Sequence, residues 1–251
     1  MTGIRDQLWL WGHQAGSHNE GWNLPEPSRI TPVEAAHYMR IPNLIMVRYG
    51  ADDLSATRRN VLPCRSMRQV VWSVVGAGGH TDPQETKRVQ AIPAILPNVT
   101  GLIMDDFFHR KQPGEVGVHS PEELRALRSG LDLWVVLYDH QLDLPVAEHL
   151  DECDVVTFWT WEASNLAQLE ENMDECQELC RSCRIVLGCY MWDYGGKAPM
   201  PLASMQHQCE LGLRWLRSGR IDGIIFLASC ICDLELEAVE WARSWIERLD
   251  E

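Results

Sequence analysis

The sequence predicts an α/β fold, a single (β/α)8 barrel spanning residues 1–251, and three observations predict it. Eight apolar runs of strand length recur along the chain, amphipathic stretches separate them, and 251 residues is the usual size of such a barrel. The runs are Leu8 to His13, Leu44 to Gly50, Gln69 to Gly76, Gly101 to Phe108, Leu133 to His140, Asp154 to Glu162, Ile185 to Tyr194 and Gly223 to Cys230. Nearly continuous apolar strands mean a parallel sheet buried on both faces. Between them, Thr31 opens "TPVEAAHYM", Ser120 opens "SPEELRALRSG" and Ser164 precedes "NLAQLEENMDECQEL" as helix starts. A helix ends at Gly219, and "LELEAVEWARSWIERL" closes the chain. An open dinucleotide-binding sheet would carry G-x-G-x-x-G after its first strand; "GHQAGSHNEG" stands there instead, and "GAGGH" after the third strand suits a tight turn.

Bulk properties narrow the function. The formal net charge is −14, with acids spread along the chain, so nucleic acid and acidic membranes are repelled. No apolar segment approaches the ~20 residues that span a bilayer, and the N-terminus has no secretory pattern. A cytoplasmic protein with no membrane or nucleic-acid partner is expected; the oligomeric state stays open. Nine cysteines, several in apolar contexts, fit buried thiols. Cys176, Cys180 and Cys183 have CxxxCxxC spacing, which is also one face of a helix, and the helical account is favoured over a metal cluster.

Barrels place their chemistry at the carboxyl ends of the strands. Here those ends carry Trp11 and His13, with His18 and Asn19 following, then Arg48 and Tyr49, and then Asp105 and Asp106. Further along come Tyr138, Asp139 and His140, then Trp159, Trp161 and Glu162, and finally Trp192, Asp193 and Tyr194; the third and eighth ends supply little. Strands reaching water turn polar in any protein, but that does not account for the tryptophans, 11 against four phenylalanines. Indoles at a barrel mouth suit the C–H faces of sugars. Trp72, Trp134, Trp215, Trp241 and Trp245 are expected to be packing residues. Glycosidic cleavage needs a proton-donating acid and a second carboxylate, and Asp105, Asp106 and Glu162 can divide those roles. Neighbours on a strand face opposite ways, so one Asp is expected to face the substrate and the other to support it, unless the strand has already ended.

The segment "GLIMDDFF", with "WTWE" two strands later, resembles (β/α)8 glycoside hydrolases and uncharacterised bacterial relatives in which a similar segment ends strand four. The resemblance implies a nucleophile or base at Asp105 or Asp106 and an acid at Glu162. It departs from chitinase-like barrels, which place a Glu after these acids, and from barrels with an Asn-Glu pair there. Trp11, His13, Arg48, Tyr49, Asp139, His140, Trp159, Trp161, Trp192 and Asp193 are expected to bind a small or oligomeric sugar without a cofactor. Arg48 either binds a substrate carboxylate or balances the acids around it, and His140 is a base oriented by Asp139 or a loop cap. The rival is a sugar isomerase, epimerase or lyase using Mg or Mn, with ligands among His13, His18 and the rim acids; Asp233 stands late for its strand-eight acid. A non-catalytic sugar-binding barrel is the third possibility. A Schiff-base aldolase is excluded, because Lys87, Lys111 and Lys197 lie outside the strands. "DYGGK" half fits a phosphate loop, and "NVT" at 98–100 matches a glycosylation sequon by chance.

Overall fold

A computed structural model describes residues 3–49, 56–112, 115–127 and 130–250. Its barrel strands are β1 (Leu8–Gly12), β2 (Asn43–Met46), β3 (Gln69–Gly76), β4 (Val99–Met104), β5 (Asp132–Tyr138), β6 (Val155–Trp159), β7 (Arg184–Tyr190) and β8 (Gly223–Leu227). Each pairs in parallel with its sequence neighbours, and the Leu8–Ile224 to Trp11–Leu227 register closes the first strand on the last. The predicted (β/α)8 barrel is therefore observed.

The helices after successive strands are α1 (Pro32–Tyr38), α2 (Arg58–Val61), α3 (Pro83–Ala91), α4 (Pro121–Leu127), α5 (Ala147–Leu150), α6 (Leu169–Leu179), α7 (Leu202–Ser218) and α8 (Glu237–Glu247). Local chemistry explains their starts and stops. Thr31 and Glu34 cap α1 reciprocally, with Pro32 at the first helical position. Ser120 and Glu123 exchange the same two bonds before α4. Gly219, in the left-handed conformation at φ 74°, terminates α7. Ser164 lies inside a 3-10 turn, Ala163–Gln168, and α6 begins only at Leu169. That helix stops at Leu179 with Cys180 as its cap; Cys176 and Cys180 Sγ still lie 4.0 Å apart, as the i, i+4 spacing predicted, while Cys183 falls beyond the helix. The nine cysteines are free thiols. Gly50 and residues 128–129, which the sequence assigned to a strand and a helix, lie outside the described residues.

The strands end earlier than their apolar runs. Residues 105–108 are not strand four: β4 stops at Met104, and Phe108 begins a separate hairpin with Glu115–Gly117. A shift in the β3–β4 register between Ser73 and Val75 marks a bulge, and Asp105 N–H donates to Val75 O beyond it at 3.0 Å. Bulges at barrel rims re-aim the residues that follow. Below the rim, tryptophans fill the interior against glycines of adjacent strands. A Cβ added to Gly188 would lie 2.1 Å from the Trp159 ring, and one added to Gly101 would lie 2.7 Å from Trp134 Nε1. Trp72 and Trp134 are core, as expected.

Candidate active site

The carboxyl ends of the strands line an inner cavity of about 90 Å3 and, beside it, an outer cavity of about 390 Å3. Asp105 and Asp106 both line the inner one. This corrects the expectation that the pair is split across the strand. The strand has ended, and Asp106 takes the left-handed conformation, φ 45°, which turns the chain so that consecutive side chains reach one space. Asp tolerates that conformation better than most residues, though at some cost.

The two carboxyls differ in surroundings. Asp105 is 5% exposed and accepts a hydrogen bond from Asp106 N–H at 2.9 Å. Burial, and then the neighbouring Asp106 charge, holds the Asp105 carboxyl well above the usual carboxylate range. Asp106 is half-buried and has both oxygens engaged: Gly78 N–H donates to Oδ2 at 2.6 Å and Tyr138 O–H donates to Oδ1 at 2.8 Å. The glycine turn after β3, from which the sequence promised little, thus supplies a donor. Gly78 has φ 71°, a conformation glycine adopts without strain, and its amide is thereby aimed at Asp106. Burial raises Tyr138 and Tyr190, with the aspartates adding to the effect on both, so the phenols keep their protons at neutral pH.

Opposite the acids, His13 and His18 lie buried with ring centroids 4.9 Å apart. Trp11 Nε1–H donates to His13 Nε2 at 2.9 Å, which makes His13 Nδ1–H the donor to Val47 O, also at 2.9 Å. Burial pushes His13 down to about 4; burial and His13 push His18 down to about 2, and His18 Nδ1 contacts Tyr194 O–H at 2.9 Å. Both rings are neutral at physiological pH. Trp22 Nε1–H donates to the Tyr49 hydroxyl oxygen at 2.9 Å, which fixes that wall.

The other predicted residues divide by location. Trp11 and Trp159, 2% and 1% exposed, are the floor of the inner cavity rather than open platforms at its top, with Trp159 N–H donating to Thr157. Trp161 lines both cavities and is held edge-on by Trp22, Tyr138 and Tyr190. Asp139, His140 and Glu162 line the outer cavity with Asp106; Glu162 is exposed and does not reach the inner one. Burial raises Asp139, but bonds from the His140 ring, Trp161 N–H and Asn165 outweigh it and leave the carboxyl below its usual range. The His140 ring stacks on Tyr138.

Two expectations are corrected, and for Arg48 the second of its alternatives is supported: it is buried, lies 3.9 Å from Asp82 and lines neither cavity. Trp192 is 2% exposed and donates to Trp22 O, supporting the loop from beneath. Asp193 accepts from Ala163 N–H and Gly196 N–H, which makes it a turn cap. Sequence reasoning left His18, Trp22, Tyr138, Tyr190 and Tyr194 out of the binding set. Trp22 lies in the loop after β1, far enough from a strand end to escape a search of strand ends.

Among the described residues, no group of three or more His, Cys, Asp or Glu side chains is placed to hold a metal ion. His13 spends both ring nitrogens within the protein, and Asp233 binds Ser28 O–H and the amides of Arg29 and Ile30, tying the loop after β8 to the loop after β1. No helix among the described residues is long and apolar enough to cross a membrane.

The sequence matches no protein-family model and no curated protein. Solved structures share the fold. A xylanase–α-amylase inhibitor protein in complex with trehalose is 12% identical with a TM-score of 0.56, covering 96% of this chain and 97% of that one. A variant tryptophan synthase α-subunit from Pyrococcus furiosus is 13% identical with a TM-score of 0.52, covering 99% of each chain. A β-D-glucuronidase from Dictyoglomus thermophilum is 11% identical with a TM-score of 0.53, covering 86% of this chain and 46% of that one. At these identities the likeness is one of barrel fold.

Proposed function

We propose that the protein is a carbohydrate-active enzyme, a glycosidase in its chemistry, that cleaves a glycosidic bond with the paired carboxyls of Asp105 and Asp106. The observation that carries this reading is the pair itself. Two consecutive acids, turned into one aromatic-walled cavity, are held in unlike environments, which is how one fold obtains an acid and a base from the same side-chain type. Asp105, kept protonated by burial, is assigned to protonate the leaving oxygen. Asp106, oriented by Gly78 N–H and Tyr138 O–H, is assigned as nucleophile or base. Glu162, at the outer cavity, is the alternative acid. Neither cavity has a lysine or arginine among its described lining residues, so a neutral sugar fits better than a uronic acid or a sugar phosphate. The fold likeness to a glucuronidase and to a trehalose-bound inhibitor is compatible with a sugar ligand.

The test is turnover of a panel of aryl glycosides and oligosaccharides by wild type, Asp105→Asn, Asp106→Asn and Glu162→Gln. Removing a general acid costs roughly 10²–10⁴-fold in rate. Losses of that size are expected for both Asp variants, with a smaller loss for Glu162→Gln. A near-active Asp105→Asn beside an inactive Glu162→Gln would move the acid role to Glu162. Binding of sugars with no turnover of any glycoside would make the barrel a lectin-like binder.

A further inference from the structure

We infer, building on the carbohydrate reading, that the substrate contains at least two sugar units. One occupies the inner cavity, the next occupies the outer cavity, and the bond between them crosses Asp106. The two cavities share Asp106, Tyr138 and Trp161 and differ in everything else that lines them. The inner lobe is closed below by Trp11, Trp159 and Leu227, each under 10% exposed, and is walled by aromatic rings, which suits one ring stacked on apolar surface. The outer lobe is polar, lined by Asp139, His140, Gln141, Glu162 and Asn165, and this suits a second, hydroxyl-rich unit that stays partly in water.

The partition between the lobes is built to hold its shape. Trp161 is fixed by three rings at centroid distances of 5.7 to 6.3 Å, and its backbone N–H donates to Asp139 Oδ1 at 3.3 Å. Asp139 also accepts from Asn165 at 3.2 Å, so one carboxylate positions the partition and a wall of the outer lobe together. Asp106 stands in the same partition, bonded to Tyr138, where a bond joining the two sugar units would pass.

The experiment measures binding to full-length Asp105→Asn, used to slow turnover, by calorimetry. The probes are glucose against maltose, cellobiose and trehalose, xylose against xylobiose, and N-acetylglucosamine against chitobiose. In whichever series binds, the disaccharide is expected to bind at least about tenfold tighter than its monosaccharide. Asn165→Ala, added to the same protein, is expected to cut that advantage below about threefold. Mono- and disaccharides binding within twofold in every series that binds would overturn the two-lobe inference, while aryl glycoside cleavage by the wild type would leave the carbohydrate reading standing. An unchanged disaccharide advantage in Asn165→Ala would remove the outer lobe from the site. Absence of both sugar binding and glycoside cleavage would sink both proposals.

Discussion

At the scale of the residue, Asp105 decides most. An unfolded aspartate titrates near ~3.9, whereas burial and Asp106 hold this one well above that range. Between the two values the folded chain keeps a proton that the unfolded chain has lost. Stability therefore falls as pH rises through that window, by up to about 1.4 kcal/mol per pH unit. Asp105→Asn, an uncharged mimic of the protonated acid, is expected to raise Tm at pH 7 relative to wild type and to leave Tm unchanged near pH 4. Thermal unfolding across pH 4–8 checks this; an Asn variant that is less stable at pH 7 would mean the carboxylate is welcome in the cavity. That the acids sit at a functional rim was legible in "GLIMDDFF". That both face one cavity was not, because it depends on a left-handed turn at Asp106 whose only local signal is that Asp tolerates it.

At the scale of the element, the tryptophans and glycines of neighbouring strands form a single interlocking set. Trp159 of β6 occupies the space left by Gly188 of β7, and the floor of the inner cavity rests on that fit. Overpacking a filled core costs about 1–3 kcal/mol, and more where the neighbour cannot yield. Gly188→Ala is expected to reach the upper end of that range or exceed it, read as a lower urea midpoint, and to weaken sugar binding by tilting Trp159. The glycine was visible in "IVLGCYMWDY", but its partner is a residue of another strand, fixed only by the Ile185–Val156 to Leu187–Phe158 register. The same limit explains why Trp11 and Trp159 were taken as platforms: side-chain alternation tells which face a residue is on, not how deep the rim lies above it. Helix starts were better read, because the reciprocal Thr31–Glu34 and Ser120–Glu123 bonds are made within four residues of chain.

At the scale of the whole molecule, the barrel closes where first and last strands meet, and a neutral histidine sits in that seam. His13 gives its backbone N–H to Ser229 Oγ beyond β8 and its ring Nδ1–H to Val47 O beyond β2. With His13 at about 4 and His18 at about 2, against ~6.5 in an unfolded chain, the unfolded state binds protons that the folded state refuses. Their contribution is fully present above pH 6.5 and is lost as pH falls, by up to about 1.4 kcal/mol per unit for each ring, down to pH 4 for His13 and lower for His18. The urea midpoint is expected to drop between pH 7 and 5, and His18→Asn is expected to flatten the drop. An unchanged slope in that variant would mean that other groups drive the acid loss. The slope opposes that of Asp105, so the two single variants separate the effects.

The eight barrel strands and their order, five of the helices, the barrel and the acidity of its mouth follow from the sequence alone, because hydrophobic period and capping chemistry act over a few residues. Tertiary structure alone decided that the acid beside Arg48 is Asp82, that Trp192 props a loop, that Gly78 reaches Asp106, and that Trp161 divides two cavities. Each of those depends on where separate strands end relative to one another, and that is set by strand register and a bulge in β3, which the order of residues does not display.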